Sequence, residues 1–188
     1  MILESKLVSV LENEFNDKRW QHSLGVADTA EKLARQEGIS VKKSRLAGLL
    51  HDYAKGMAQD KLKKLAKQST WDIDQLELSI SKILHAPVGA YLIYKRFDIA
   101  DKEILKAVRY HTIGHPQMGD LAQIIFVADI IEPGRDFPGV DQIRQQVKSN
   151  LKQGLITVCN HSLKYNIDHN RLLHPNTLLL RNSLLEGD

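Results

Sequence analysis

The stretch Val41-Lys42-Lys43-Ser44-Arg45-Leu46-Ala47-Gly48-Leu49-Leu50-His51-Asp52-Tyr53-Ala54-Lys55-Gly56 decides the fold class. Val41, Arg45, Leu46, Leu49, Leu50 and Tyr53 recur at steps of three and four, which gathers the apolar side chains on one helix face. Just upstream, Gly38-Ile39-Ser40 offers a stop for one helix and an N-cap for the next, and Gly56 reads as the close of this one. The same period runs outward in both directions. Leu3, Leu7, Val10 and Leu11 carry it near the N-terminus, and Val140, Ile143, Val147 and Leu151 carry it downstream. Pro87 reads as the opening of a helix. Asp101 is placed to cap a helix bearing Ile104, Leu105 and Val108, with Glu103 favourable in its first turn. Pro133-Gly134 and Pro138-Gly139 bracket a loop, and His174-Pro175-Asn176 opens a final helix carrying Leu178 to Leu180. Strand-like alternation is hard to find, and there are no repeats, low-complexity tracts or long linkers. The expected class is all-α, with nine or ten short helices.

A chain of 188 residues with 43% hydrophobic content closes one sizeable core, so a single domain over 1–188 is expected. The longest apolar run, Leu121 to Ile131, is broken by Gln123 and Asp129 and falls short of the roughly 20 residues a membrane-spanning helix needs. The N-terminal segment mixes apolar residues with charges, unlike the apolar block of a secretion signal. Cys159 is the only cysteine, which excludes an internal disulfide and a thiolate metal cluster and suits a reducing cytoplasm. The net charge is +3, but Lys and Arg are dispersed among 23 Asp and Glu, and aromatics are only 6% of the chain. No basic cluster interleaved with aromatics is present, so a nucleic-acid partner is not expected, whereas a phosphate-bearing small molecule is compatible.

Asp129 sits inside Ile124-Ile125-Phe126-Val127-Ala128-Asp129-Ile130-Ile131, apolar on nearly every side, where an ionised carboxylate is costly unless it meets a cation. Taken alone it could equally cap a neighbouring helix or pair with an arginine. The dipeptide His51-Asp52, expected at the end of the apolar helix quoted above, is a second signal, and His22, on a face shared with Val26 and Leu33, is a third. Each by itself is commonly a packed or helix-end residue. Together they give two imidazoles and two carboxylates from three apolar helices, a nitrogen and oxygen set that suits iron, manganese, nickel, cobalt or zinc and leaves coordination positions open. His85 and His111 are read either as ligands of a second metal or as donors to phosphate, His111 being equally at home at a helix C-terminus. Lys55, one turn beyond the dyad, either contacts phosphate or interacts with the last helix carbonyls. Arg135 follows the Asp129 helix closely enough to reach phosphate. His115, His161 and His169 lie in polar stretches and read as surface residues.

These residues resemble the HD-domain phosphohydrolases, and within them the YqeK-like symmetrical bis(5'-nucleosyl)-tetraphosphatases. The segments that carry the likeness are Arg19 to Ala27, Ala47 to Gly56, His85-Ala86-Pro87-Val88-Gly89-Ala90, Val108 to Gly114, Val127 to Arg135, and His174 to Asn182. The dyad points to the superfamily. The Glu132-Pro133-Gly134-Arg135 loop and the His174-Pro175-Asn176 tail point to the narrower group. The resemblance implies a single HD-domain helical bundle and a cytoplasmic, iron-binding enzyme that hydrolyses diadenosine tetraphosphate to two ADP, with hydroxide from a metal-acidified water attacking phosphorus in line. It places His22, His51, Asp52 and Asp129 on the metal. Asp52, Lys55, His85 and His111 would serve catalysis, with His22, Lys55, Gly56, His85, His111 and Arg135 around the phosphates. Arg171, His174 and Asn176 would lie near a nucleoside. Departures occur at His115, where a basic or small residue is expected, and at Gly119, where a helix-capping serine is expected. The expected partners are the nucleotide and its ADP product, with a homodimer allowed for. The alternatives are another nucleotide phosphohydrolase or cyclic-nucleotide phosphodiesterase on the same frame, or a non-catalytic RNA- or ribosome-associated metal-binding module.

Overall fold

Local caps set the helix boundaries in the computed structural model, which describes residues 4–186. Among them lie eleven helices: α1 (Glu4–Glu14), α2 (Asp17–Glu37), α3 (Val41–Leu50), α4 (Gln59–Ala66), α5 (Gln75–Ser79), α6 (Ser81–Phe97), α7 (Lys102–Tyr110), α8 (Asp120–Ile131), α9 (Val140–Ser149), α10 (Leu151–Asp168) and α11 (Pro175–Glu186). The all-α class stands, and no strand occurs among the described residues. Asn16 caps α2 by accepting from Arg19 N at 2.9 Å, and Gly38 ends it in the left-handed region at φ 69°. Ser40 caps α3, and the Asp101 carboxylate accepts from Glu103 N and Ile104 N at the start of α7. Gly119 opens α8 without a side-chain cap. Leu3 lies outside the described residues.

Three expectations need correction. Eleven helices stand among the described residues where nine or ten are expected, one of them the five-residue α5, whose start Asp74 and Glu77 close with a capping box. Pro87 lies inside α6 instead of opening it. Its missing N–H costs on the order of 3 kcal/mol in a helix interior, which the full burial of Leu84, Ala86, Val88, Ala90 and Ile93 on the same helix offsets. The helix quoted first ends at Leu50, not at Gly56. Residues 51–56 run on in tight turns, with Tyr53 N donating to Leu50 O and Lys55 N to Asp52 O, each at 3.0 Å, so His51 and Asp52 stand on a turn past the helix end.

α8 forms the centre of the main core: Leu121, Ala122, Ile124 to Ala128 and Ile131 are buried, Gln123, Asp129 and Ile130 keep partial access to solvent, and Asp120 at the start is exposed. Residues of α2, α3, α7, α9, α10 and α11 close around it, and a second cluster joins α1 to α2, α3, α6 and α7. Behind α7 a buried ion pair holds α5 in place. Arg109 Nη1 lies 2.7 Å from Glu77 Oε1, and Arg109 Nη2 donates to Glu77 Oε2 at 2.8 Å and to Asp72 O at 2.9 Å.

The crossing of α2 and α3 depends on Gly48. A Cβ there would stand 2.6 Å from Ala27 Cα and 2.9 Å from Ala27 N, both backbone atoms that cannot swing away. Gly48→Ala is therefore expected to force the two helices apart and to lower stability by about 1–3 kcal/mol, read as a drop in the urea midpoint at unchanged m value. An unchanged midpoint would mean that the crossing is not a tight contact.

Candidate metal centre

Four helices and the turn after α3 converge on one point. His22, in α2, turns Nε2 toward His51 Nε2 at 3.2 Å, toward Asp129 Oδ1 at 3.0 Å and toward Asp52 Oδ2 at 3.6 Å. His51 Nε2 lies 3.4 Å from Asp52 Oδ2 and 3.8 Å from Asp129 Oδ1. The opposite ring nitrogens are committed: His51 Nδ1 donates to Gly48 O at 2.8 Å and His22 Nδ1 to Glu132 Oε1 at 3.1 Å. Both Nε2 atoms therefore present lone pairs to each other, and only a cation or an extra proton relieves their repulsion. Donors bound at roughly 2.1 Å to one ion lie about 3.0 Å apart at right angles and about 3.4 Å apart in a tetrahedron. Three of the five separations, 3.0, 3.2 and 3.4 Å, fall in that range and the other two, 3.6 and 3.8 Å, lie a few tenths of an ångström above it, so the chemistry of the donor set and its convergence fit a divalent ion.

Asp52 faces two ways. Its Oδ1 looks to the other side, 3.1 Å from His85 Nε2 and 3.5 Å from His111 Nε2, and those two nitrogens are 3.1 Å apart. His111 repeats the device of His51: it follows a helix end and donates Nδ1–H to the carbonyl three residues back, Val108 O, at 2.8 Å. Burial disfavours the charged imidazolium, and the neighbouring His51 and His85 add to that against the pull of Asp52, so His111 is pushed down to about 4 and is neutral at neutral pH. Burial also opposes ionisation of Asp52, but the surrounding histidines outweigh it and hold its carboxyl well below the usual range. Asp129 behaves alike: burial is outweighed by the hydrogen bond with His22 and the charges of His51 and Arg135. His51, Asp52 and His111 also stand close enough to share an ion.

Glu132 was not singled out by sequence reasoning. It is buried, orients His22 from behind, and accepts from Gly134 N through Oε2 at 2.6 Å. Its cradle has no room for side chains: a Cβ on Gly25 would come within 2.6 Å of Oε2, and one on Gly134 within 3.0 Å. A signal was present in the chain. A carboxylate at the C-cap of α8 opposes the helix dipole, and its place three residues after Asp129 puts it on the same side.

The charged residues around the centre fall partly where expected. Lys55 is half exposed, with Nζ 2.6 Å from Asp52 Oδ2. Arg135 clasps Asp129, donating Nε to the Asp129 carbonyl oxygen at 2.6 Å and Nη2 to the carboxylate. Three cavities adjoin the centre. A small one of about 500 Å³ is bordered by Lys55, Gly56, His85, His111 and Asp129. It shares Lys82, Ile83, Thr112, Ile130 and Ser162 with a large cavity of about 1000 Å³. On the other side it shares Lys55 and Gly56 with a cleft of about 770 Å³ that includes His22, Asp52 and Arg135. Lys82 and Thr112, whose buried Oγ1 has no partner, were missed by sequence reasoning.

The tail residues divide. Arg171 borders the large cavity, its guanidinium 4.9 Å from the Tyr165 ring. His174 also borders that cavity but is committed elsewhere: Nε2 donates to Asp74 Oδ2 at 2.8 Å and Nδ1 accepts from Asn176 N at 3.2 Å. Asn176 lines none of the three cavities. The surface reading of His115 and His161 is corrected. Both are half-buried, because an aromatic ring covers each: Tyr110, five residues earlier, stacks on His115, and Phe137, from the loop before α9, stacks on His161. His169 is exposed as expected.

The HD domain family model matches residues 19–134. The chain is 36% identical over 180 residues to the symmetrical bis(5'-nucleosyl)-tetraphosphatases of Halalkalibacterium halodurans and Bacillus subtilis, covering 96% of this chain and of each relative. It also superposes on a solved structure from Clostridium acetobutylicum, described as a predicted HD superfamily hydrolase involved in NAD metabolism, with a TM-score of 0.95 and 36% identity over the whole of both chains.

Asp52→Asn and Asp129→Asn are each expected to retain the fold and to lose bound metal and activity together, since an amide keeps the shape and loses the charge. Glu132→Gln should weaken metal affinity by about 10- to 100-fold through the misoriented His22 ring, measured by competition with a chelator. Full metal occupancy in either asparagine variant would sink the ligand assignment.

Proposed function

The chain belongs to the HD domain family, which depends on divalent metal, and from this premise we propose that it hydrolyses diadenosine tetraphosphate symmetrically to two ADP. The observation that carries the reading is the groove. The small cavity beside His85, His111 and Asp129 shares lining residues with a larger cavity on either side, an arrangement that suits a ligand with two nucleosides and a central polyphosphate. His22, His51, Asp52 and Asp129 hold the metal, with His85 and His111 available to a second ion across Asp52. Iron is the proposed metal, as the resemblance implies, with manganese, nickel, cobalt and zinc compatible with the same donors. The proposal extends to one domain over 1–188 acting in the cytoplasm. No helix among the described residues is long and apolar enough to cross a membrane.

A divalent ion bound there acidifies water and withdraws charge from a phosphoryl oxygen. The residues of the chain do the rest. Glu132 fixes the His22 tautomer, so that Nε2 faces the centre without a proton. Lys55 and Arg135 border the cavities with their positive charges and stabilise the charge that gathers on the equatorial oxygens in the transition state. His85 and the neutral His111 donate to or accept from the same oxygens. The leaving group is a nucleoside diphosphate, a good one, which removes the need for a dedicated general acid.

Lys55→Ala is expected to keep metal content and lower kcat/KM by roughly tenfold to a hundredfold, the loss of one charge-assisted contact of about 1.5–3 kcal/mol. A drop confined to thermal stability would instead assign Lys55 to the helix end. The bond cut is tested in heavy-oxygen water. With one adenosine lodged in the large cavity and its α-phosphate used to span the distance, the second phosphorus meets the centre. One of every two ADP molecules should then carry a single label, on its terminal phosphate. ATP with AMP as main products, or label on an α-phosphate, would overturn the symmetrical reading and leave the metallohydrolase reading standing.

A further inference from the structure

The two ends of the groove differ in chemistry. The large cavity has an aromatic wall: Phe137 stacks on His161 with ring centroids 4.5 Å apart at 25°, and His161 is near-parallel to Tyr165 at 6.4 Å and 18°. His161 and Tyr165 are four residues apart on α10 and so share a face. Burial holds the His161 imidazole below its ordinary value, which makes it an uncharged flat ring at neutral pH. Tyr165 remains 42% exposed and Leu172, at the mouth, 65% exposed. The cleft at the other end is bordered by Asn16, Lys18, Arg19, Gln21 and Asp28; among the described residues the one ring that lines it is the His22 imidazole, which is tied to Glu132 and turned to the metal centre.

We propose that a symmetrical substrate is held asymmetrically, with one purine stacked on the Phe137–His161–Tyr165 wall and the other end lying in the polar cleft, whose one ring, His22, is committed to the metal centre. The inference rests on the dinucleoside tetraphosphate reading above. Stacking is tolerant of base identity because every base has a π-face, and it contributes about 5- to 150-fold in affinity per base. Only one end receives that contribution. The end on the aromatic wall therefore sets the direction of binding, and the other is held through its phosphates and ribose. The Arg171 guanidinium over Tyr165 extends the same surface.

The test uses the metal-loaded full chain and a tetraphosphate carrying adenosine at one end and a base-free ribose at the other. Hydrolysed in heavy-oxygen water, it should yield label concentrated at least about fivefold in one of the two diphosphate products. The bias should fall toward an even split in Tyr165→Ala and His161→Ala and persist in Tyr165→Phe, which keeps the ring. Even labelling by the unaltered protein, or a bias that survives both alanine variants, overturns the inference while leaving symmetrical hydrolysis intact. Cleavage to ATP and AMP from diadenosine tetraphosphate would instead overturn the functional reading. Binding gives an answer independent of turnover: ADP affinity should drop about fivefold or more in Tyr165→Ala and His161→Ala with inorganic pyrophosphate affinity unchanged. An equal loss for both ligands, or no loss for ADP, counts against the aromatic wall.

Discussion

The Asp52 carboxylate is the group on which the rest of the structure depends. It is 1% exposed and ionised, a state that burial alone would forbid. Its charge is tolerated because positive or polarisable partners are brought to both oxygens: His22, His51 and Lys55 to Oδ2, His85 and His111 to Oδ1. Removing any one partner leaves a buried charge less compensated, and removing the Asp52 charge takes away what the four imidazoles share, although His22, His51 and His111 keep the bonds of their other ring nitrogens. The helices that supply these residues are therefore bound to one geometry.

That geometry is reached by ending helices in the right place. α3 and α7 both stop one residue before a histidine, and each histidine ring donates back to the carbonyl three residues earlier, satisfying an acceptor that a helix end leaves open. The same bond fixes the tautomer, so both Nε2 atoms face Asp52 and can hold a cation or a proton between themselves and its carboxylate. α2 and α8 contribute from mid-helix and helix end, and the close pass of Ala27 over Gly48 sets the spacing between His22 and His51. Glu132 then does for His22 what a backbone carbonyl does for His51 and His111.

The helical class and the His22, His51, Asp52 and Asp129 set were legible in the chain because periodicity and misplaced charge are local signals. Asp129 stood out as the one carboxylate in an apolar helix, and His51-Asp52 as a polar pair closing another. Where the sequence misled, tertiary contacts decided. Pro87 looks like a helix start until the buried face of α6 outweighs its cost. His161 looks like a surface histidine until Phe137, in a different loop, covers one side of its ring. Glu132 had a local signal in its unfavourable place at a helix C-terminus, but its partner His22 lies 110 residues away, a pairing that no spacing rule encodes.

The His174-Pro175-Asn176 tail shows how a motif can serve a site without touching its centre. His174 bonds Asp74, Asp74 and Glu77 cap each other across α5, and Glu77 pairs with Arg109 in the last turn of α7, two residues before His111. The Glu77–Arg109 pair and His174 are buried, where an unpaired partner is costly. Asp74, the half-exposed member, is tied by both its cap and the imidazole. The chain of contacts thus runs from the end of the sequence to the helix that presents His111 to Asp52. On this geometry the motif acts as a brace for α7 and, through His174, as part of the large cavity's edge at once.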